Sequence, residues 1–172
     1  MTNLAAMILR VGVGGLLAGH GAQKLFGWFG GGGLEGTGPA MESMGLKPGR
    51  LWAPLAGLSE FGGGVLTALG FLHPLGPIAI MAAMIMATLK AHWGKPIWNT
   101  EGGAELPVAY MIVALAIALG GPGRYSLDAA LLIRLPASLV AAAAVAAAVG
   151  IGVGTKAPAL LAGGSHGGEH AA

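Results

Sequence analysis

The chain has no cysteine among its 172 residues, and charge is almost as scarce, with Asp, Glu, Lys and Arg together making up 9% of it. The first absence removes disulfides, thiolate nucleophiles, iron–sulfur clusters and zinc–thiolate sites. Any redox chemistry therefore needs a bound cofactor or a partner. The second absence excludes a soluble globule, which at this size would carry about a quarter charged residues. With 55% of the residues hydrophobic and a mean hydropathy of +0.74, lipid must cover much of the surface. The formal net charge of +2 is small and its basic residues are scattered singly, which excludes nucleic acid as a partner. The N-terminal apolar stretch has no basic region before it and ends in Gln23-Lys24 rather than at a small-residue cleavage site, so it reads as a retained helix.

What is present is a series of apolar runs of membrane-spanning length. A spanning helix needs about 20 mostly apolar residues, and residues 4–25 and 51–72 meet that length. Residues 75–91 follow after a turn at His73-Pro74, and residues 106–119 make a shorter run that can extend a turn at each end. A fifth run, 136–153, is built of Ala, Val and Gly. The predicted fold class is all-α: a transmembrane four-helix bundle over residues 1–134, an additional transmembrane helix over 135–154, and a flexible tail over 155–172. The glycine-rich stretch 27–39 predicts a loop, with one short interfacial helix near Met41 to Met44. It lacks the Gly-Lys-Ser or Gly-Lys-Thr ending and the preceding strand of a phosphate loop.

If the helices alternate in direction, six Lys and Arg residues (Lys24, Lys47, Arg50, Lys90, Lys95, Lys156) fall on one side and two (Arg124, Arg134) on the other. The positive-inside rule then predicts a multi-pass protein of the cell (inner) membrane with its N-terminus outside.

Ionisable residues inside such helices cost roughly 2.5–3.5 kcal/mol each on insertion scales, so they face the bundle and need partners. At about 100° per residue, Arg10, Gly14, Leu17, Gly21 and Lys24 form one stripe of the first span, with His20 beside it. On the second span Ala53, Ala56, Gly57, Glu60, Gly63, Gly64 and Thr67 share a side, with Glu60 its lone acid. The candidate partners of Glu60 are Lys24, His20 and Arg10. Lys90 and His92 end the third span on the membrane side that also holds His20, Gln23 and Lys24, and α-helical spacing points only one of the two at a common site. The bland alternative is that Lys24 and Lys90 snorkel to the interface and that the histidines bind loop carbonyls. On the opposite side, Gly121-Pro122-Gly123 makes a tight turn, Ser126 or Asp128 can cap a short helix, and Asp128 can fold back to neutralise Arg10. In the tail, His166, Glu169 and His170 have a spacing that suits a metal only if helical, and the glycines around them oppose a helix.

Three segments together resemble the DoxX family of small bacterial and archaeal membrane proteins. They are Arg10 with His20-Gly21-Ala22-Gln23-Lys24-Leu25-Phe26-Gly27, then Gly57-Leu58-Ser59-Glu60 with Gly63, then Gly121-Pro122-Gly123-Arg124-Tyr125-Ser126-Leu127-Asp128. The resemblance covers residues 4–130 in order and implies a four-helix membrane core. It also implies a link to membrane redox systems, among them thiosulfate:quinone oxidoreductase and partners of membrane-tethered antioxidant enzymes. The fifth run and the His-containing tail depart from the family pattern.

Two functions of different class follow. In the first, the chain is a component of a quinone-linked oxidoreductase within a membrane redox complex. Glu60 handles protons there as the catalytic residue, His20, Gln23, Lys24, Lys90 and His92 hold the quinone, and Arg10 and Asp128 form a structural ion pair. In the second it is a non-catalytic assembly subunit or small transporter, and its buried charges only fix helix register. Haem held between His20 and His92 ranks behind both.

Overall fold

The computed structural model describes residues 2–163. Among the described residues there are seven α-helices and no strand: α1 (Asn3–Phe26), α2 (Gly33–Ser43), α3 (Gly49–Leu69), α4 (Leu75–Ala87) continued by a π turn over Thr88–His92, α5 (Glu105–Gly120), α6 (Leu127–Leu131) and α7 (Ala137–Gly163). Three helical segments, Asn3–Phe26, Leu75–His92 and Ala137–Lys156, are long and apolar enough to cross a membrane, and Glu105–Gly120 is apolar but shorter. α3 has 21 residues and so has the length, but Glu60 and its glycine run dilute its hydropathy. Ile8, Val11 and Leu16 on α1, Ile112 and Leu119 on α5, and Val145 and Val149 on α7 all point outward. An apolar exterior of that extent suits acyl chains and would aggregate in water. The chain is a multi-pass membrane protein in a lipid bilayer.

Lipid gives apolar side chains no reason to leave it for one another, so helices in a bilayer associate where small residues let backbones approach. α1 and α3 show this. A Cβ placed on Gly14 would lie 2.6 Å from both Gly64 O and Ala68 N, and one on Gly64 would lie 2.5 Å from Ala18 N. The two stripes expected from the sequence form the contact: Arg10, Gly14, Leu17 and Gly21 of α1, and Ala53, Gly57, Glu60, Gly63, Gly64 and Thr67 of α3, are all buried. Leu17, Ile80, Met84 and Ala114 form an apolar core where α1, α4 and α5 meet.

Arg10 holds the far end of this pair. Its side chain, 1% exposed, donates from Nη1 to Ala68 O (3.0 Å) and Thr67 O (3.4 Å) and from Nη2 to Tyr125 O (2.7 Å). The first two are carbonyls of the last turn of α3, where a cation also meets the negative end of the helix dipole. Gly70 ends α3 at φ +61, and a Cβ there would strike Arg10 Nη1 and lie 2.6 Å from Ser126 Cβ, so only glycine leaves the guanidinium its place.

The expected ion pair between Arg10 and Asp128 is not made. Asp128 is buried at the same end, but its two carboxylate oxygens accept the backbone N–H groups of Leu72 and His73, each at 2.8 Å. Leu72 has φ +51, a left-handed conformation that costs a branched residue roughly 1–2 kcal/mol, and the carboxylate pins it there. Both charges are thus met by backbone groups rather than by each other, with Arg10 Nε left buried and unpartnered. Ser126 caps α6, accepting from Ala129 N at 3.2 Å.

His73 lies in this same turn, outside the helices. Its Nε2 sits 3.2 Å from Ala118 O. Burial holds the imidazole below its ordinary pKa; the Ala118 carbonyl and Asp128 pull it up without offsetting that, and Arg10 pushes it further down. A base with a depressed folded pKa takes up a proton more readily when unfolded, so stability falls as pH drops below about 6.5. Thermal unfolding in detergent is therefore expected at lower temperature at pH 5.5 than at pH 7.5, and His73→Gln should flatten that dependence. An unchanged slope in the variant would assign the pH effect to other groups.

Two segments differ from the sequence expectation. The glycine-rich stretch is largely helical: α2 begins at Gly33 and includes Gly36, Gly38 and Pro39. Tertiary contacts outweigh the poor helix propensity of glycine. Thr37 Oγ1 donates to Lys24 O (3.3 Å), Glu42 Oε1 accepts from Gly49 N (2.7 Å), and Met41 packs with Leu46 and Ala53. α7, expected to stop by residue 154, continues to Gly163. The tail residues His166, Glu169 and His170, with their metal reading, lie outside the described residues.

Candidate functional site

Glu60, near the middle of α3, is buried on the face that packs against α1. Lys24 comes from the last turn of α1 and forms an ion pair with Glu60, the one salt bridge among the described residues. The pair is unequal: the Glu60 side chain is 5% exposed and that of Lys24 31%. Lys24 bonds only Oε1. The other oxygen, Oε2, is buried with no hydrogen-bond partner. A buried acceptor left in that state costs about 1–3 kcal/mol or more, and such groups in native proteins are normally met by water or a ligand.

Lys24 and Glu60 line a cavity of about 470 Å³. α2 contributes Met41 to its wall, α3 contributes Trp52, Ala56 and Ser59, and α4 contributes Ala83 and Met86. Lys90 and His92 also line it. α-Helical spacing set these two on different faces, but the chain passes through a π turn over Thr88–His92 and leaves the helix at Trp93. A π turn places more residues per turn than an α-helix does, which shifts the register and lets both side chains reach one space.

His92 has a defined polarity. Its Nδ1 is 2.7 Å from Gly102 O. A carbonyl can only accept, so Nδ1 carries the hydrogen and Nε2 of the neutral ring is an acceptor. Lys24 and Lys90 bring donors, and the Glu60 carboxylate a second acceptor. The cavity therefore combines a mainly apolar wall with a few polar groups of both kinds, the usual make-up of a small-molecule site.

His20 and Gln23 are not in it. His20 is exposed and its Nδ1 lies 3.2 Å from Gln23 Oε1, while Gln23 Nε2 donates to Phe29 O at 3.3 Å. At 100° per residue they stand about 80° and 140° around α1 from Arg10. α3 packs on the Arg10 side, so they turn away from it. The two bind each other and a loop carbonyl, so of the pair His20 and His92 only His92 lines the cavity. No cluster of three or more His, Asp or Glu suited to a metal occurs among the described residues.

Sequence reasoning missed α7 altogether as part of the site. Ala146, Ala147, Gly150 and Ile151 line the cavity, and Gly154 seats the helix against Met86 and Trp52. The signal was present as small residues spaced four apart on one helix face, but nothing in the sequence says which neighbour that face meets.

Among the protein families, the model described as DoxX matches residues 5–93, just over half of the chain. The match takes in α1 to α4 and the π turn, hence every polar residue of the cavity, and leaves the Gly121 to Asp128 motif and α7 outside. No curated protein and no solved structure matches the chain.

Proposed function

The chain belongs to the DoxX family of small membrane proteins, and from that premise we propose that it is the quinone-binding component of an oxidoreductase complex in the cell membrane. The observation that carries the reading is the convergence of Glu60, Lys24, Lys90, His92 and Ser59 on one otherwise apolar cavity, with Glu60 Oε2 buried and unpartnered. That set fits a quinone. A quinone ring offers carbonyl oxygens, which Lys24 and Lys90 meet as donors, and its reduced form offers hydroxyls, which His92 Nε2 and the Glu60 carboxylate meet as acceptors.

A bound quinone supplies a carrier of two electrons and two protons. The chain's own part is to hold the ring among Trp52, Met86 and the alanines, to keep water away, and to hold or give up a proton at Glu60. Lys24 stabilises the carboxylate when that proton has left. With no cysteine the chain has no thiol relay, so electrons come from a protein partner or from the oxidised substrate, which the family resemblance points to among sulfur and antioxidant systems.

The reading is tested by purifying the full chain from its native membrane in mild detergent and extracting it with solvent. Quinone is expected in proportion to protein, with no Soret band in the visible spectrum. Phospholipid alone in the extract, together with no binding on titration of added quinone, would overturn it.

A further inference from the structure

The cavity has two unlike walls. Its charged and hydrogen-bonding groups come from α1, α3 and the end of α4, whereas α7 contributes Ala146, Ala147, Gly150 and Ile151, without one polar side chain. α7 also lies beyond the residues that match the family. At Gly154 it is seated tightly: a Cβ there would lie 2.5 Å from Met86 Cε and 2.9 Å from Trp52 Cη2. One turn earlier, a Cβ on Gly150 meets nothing within 4 Å. The helix touches its neighbours at one glycine and stands off them at the other, and the gap belongs to the cavity that Glu60 also lines.

We propose that α7 is the tail-binding wall of this cavity, with Gly150 setting its width. The ligand is then amphipathic: an oxygen-bearing ring toward Glu60, Lys90 and His92, and a flexible apolar chain, such as an isoprenoid, along Ala146, Ala147 and Gly150. This rests on the quinone reading above and extends it from the ring to the tail.

Gly150→Leu tests it. Leucine is the better helix former and there is open space for it, so the variant is expected to fold while filling the gap. Gly152→Leu is the control, since a Cβ there also meets nothing within 4 Å and the residue does not line the cavity. The full chain in detergent is titrated with a benzoquinone bearing an isoprenoid tail and with the same ring lacking it. The parent protein should bind the tailed compound more tightly. Gly150→Leu should weaken that compound about tenfold, the equivalent of some two methylenes losing their burial, and leave the bare ring unchanged. Gly152→Leu should change neither. Equal weakening of both compounds, or of neither, by Gly150→Leu overturns the assignment of α7 while leaving the quinone reading in place. A parent protein that binds neither compound sinks both.

Discussion

Arg10→Leu is expected to leave little folded protein. The substitution strands Ala68 O and Tyr125 O, which Arg10 bonds from a fully buried position, and removes a longer contact to Thr67 O, which keeps the Gly70 N–H at 3.1 Å. Hydrogen bonds to a charged group are worth about 1.5–3 kcal/mol each, so even with the 3.4 Å contact discounted the loss is roughly 3–6 kcal/mol. Against a total stability of about 5–15 kcal/mol, that is enough to dismantle the closure of α3 onto the Tyr125 segment. Size-exclusion profile and thermal unfolding in detergent are the measurements. Arg10→Lys should recover only part of the loss, because one ammonium cannot span the end of α3 and Tyr125 as the planar guanidinium does. A melting temperature for Arg10→Leu equal to that of the parent would remove Arg10 from its place in the fold.

The second large effect is at Glu60. Glu60→Gln keeps the shape and an oxygen acceptor but cannot cycle a proton, so quinone-dependent turnover in the assembled complex should fall about 100-fold or more, with unfolding little changed. Lys24→Met should behave oppositely in stability, since it leaves a carboxylate buried and unpaired, at a cost of at least about 2 kcal/mol. Adding Glu60→Leu to Lys24→Met removes that stranded charge and should restore the melting temperature, without restoring turnover. This cycle separates the two functions still in contention. If Glu60→Gln turned over at the parent rate, the pair would serve only to fix the register of α1 against α3, as in an assembly subunit.

Much of this arrangement is legible in the residue order because helical periodicity is local. The stripe from Arg10 through Gly14 and Leu17 to Gly21, and that from Ala53 to Thr67, are both buried, and they need no information beyond 3.6 residues per turn. Lys24, among the bases open to Glu60, is the one that reaches it. What was not legible depends on contacts between distant segments. α2 is helical through its glycines because Thr37 and Glu42 find partners on α1 and α3. Lys90 and His92 share a cavity through a π turn that no spacing rule announces. His20 and Gln23 turn away because α3 docks on the other flank of α1, and Asp128 spends its oxygens on two amides before it can meet Arg10. The place of α7 at the cavity is of the same kind, a docking choice that its own alanines and glycines leave open.

The buried Arg10 and the half-buried Lys24 differ in what they hold, and heredity should register the difference. Lys24 is matched to a side chain, so damage at one member can be repaired by a change in the codon of the other, and exchanging the two charges is a conceivable revertant. Arg10 is matched to peptide oxygens, which no codon alters. A screen for second-site suppressors is thus expected to yield compensating alleles for Lys24 and none that replaces the lost partner of Arg10.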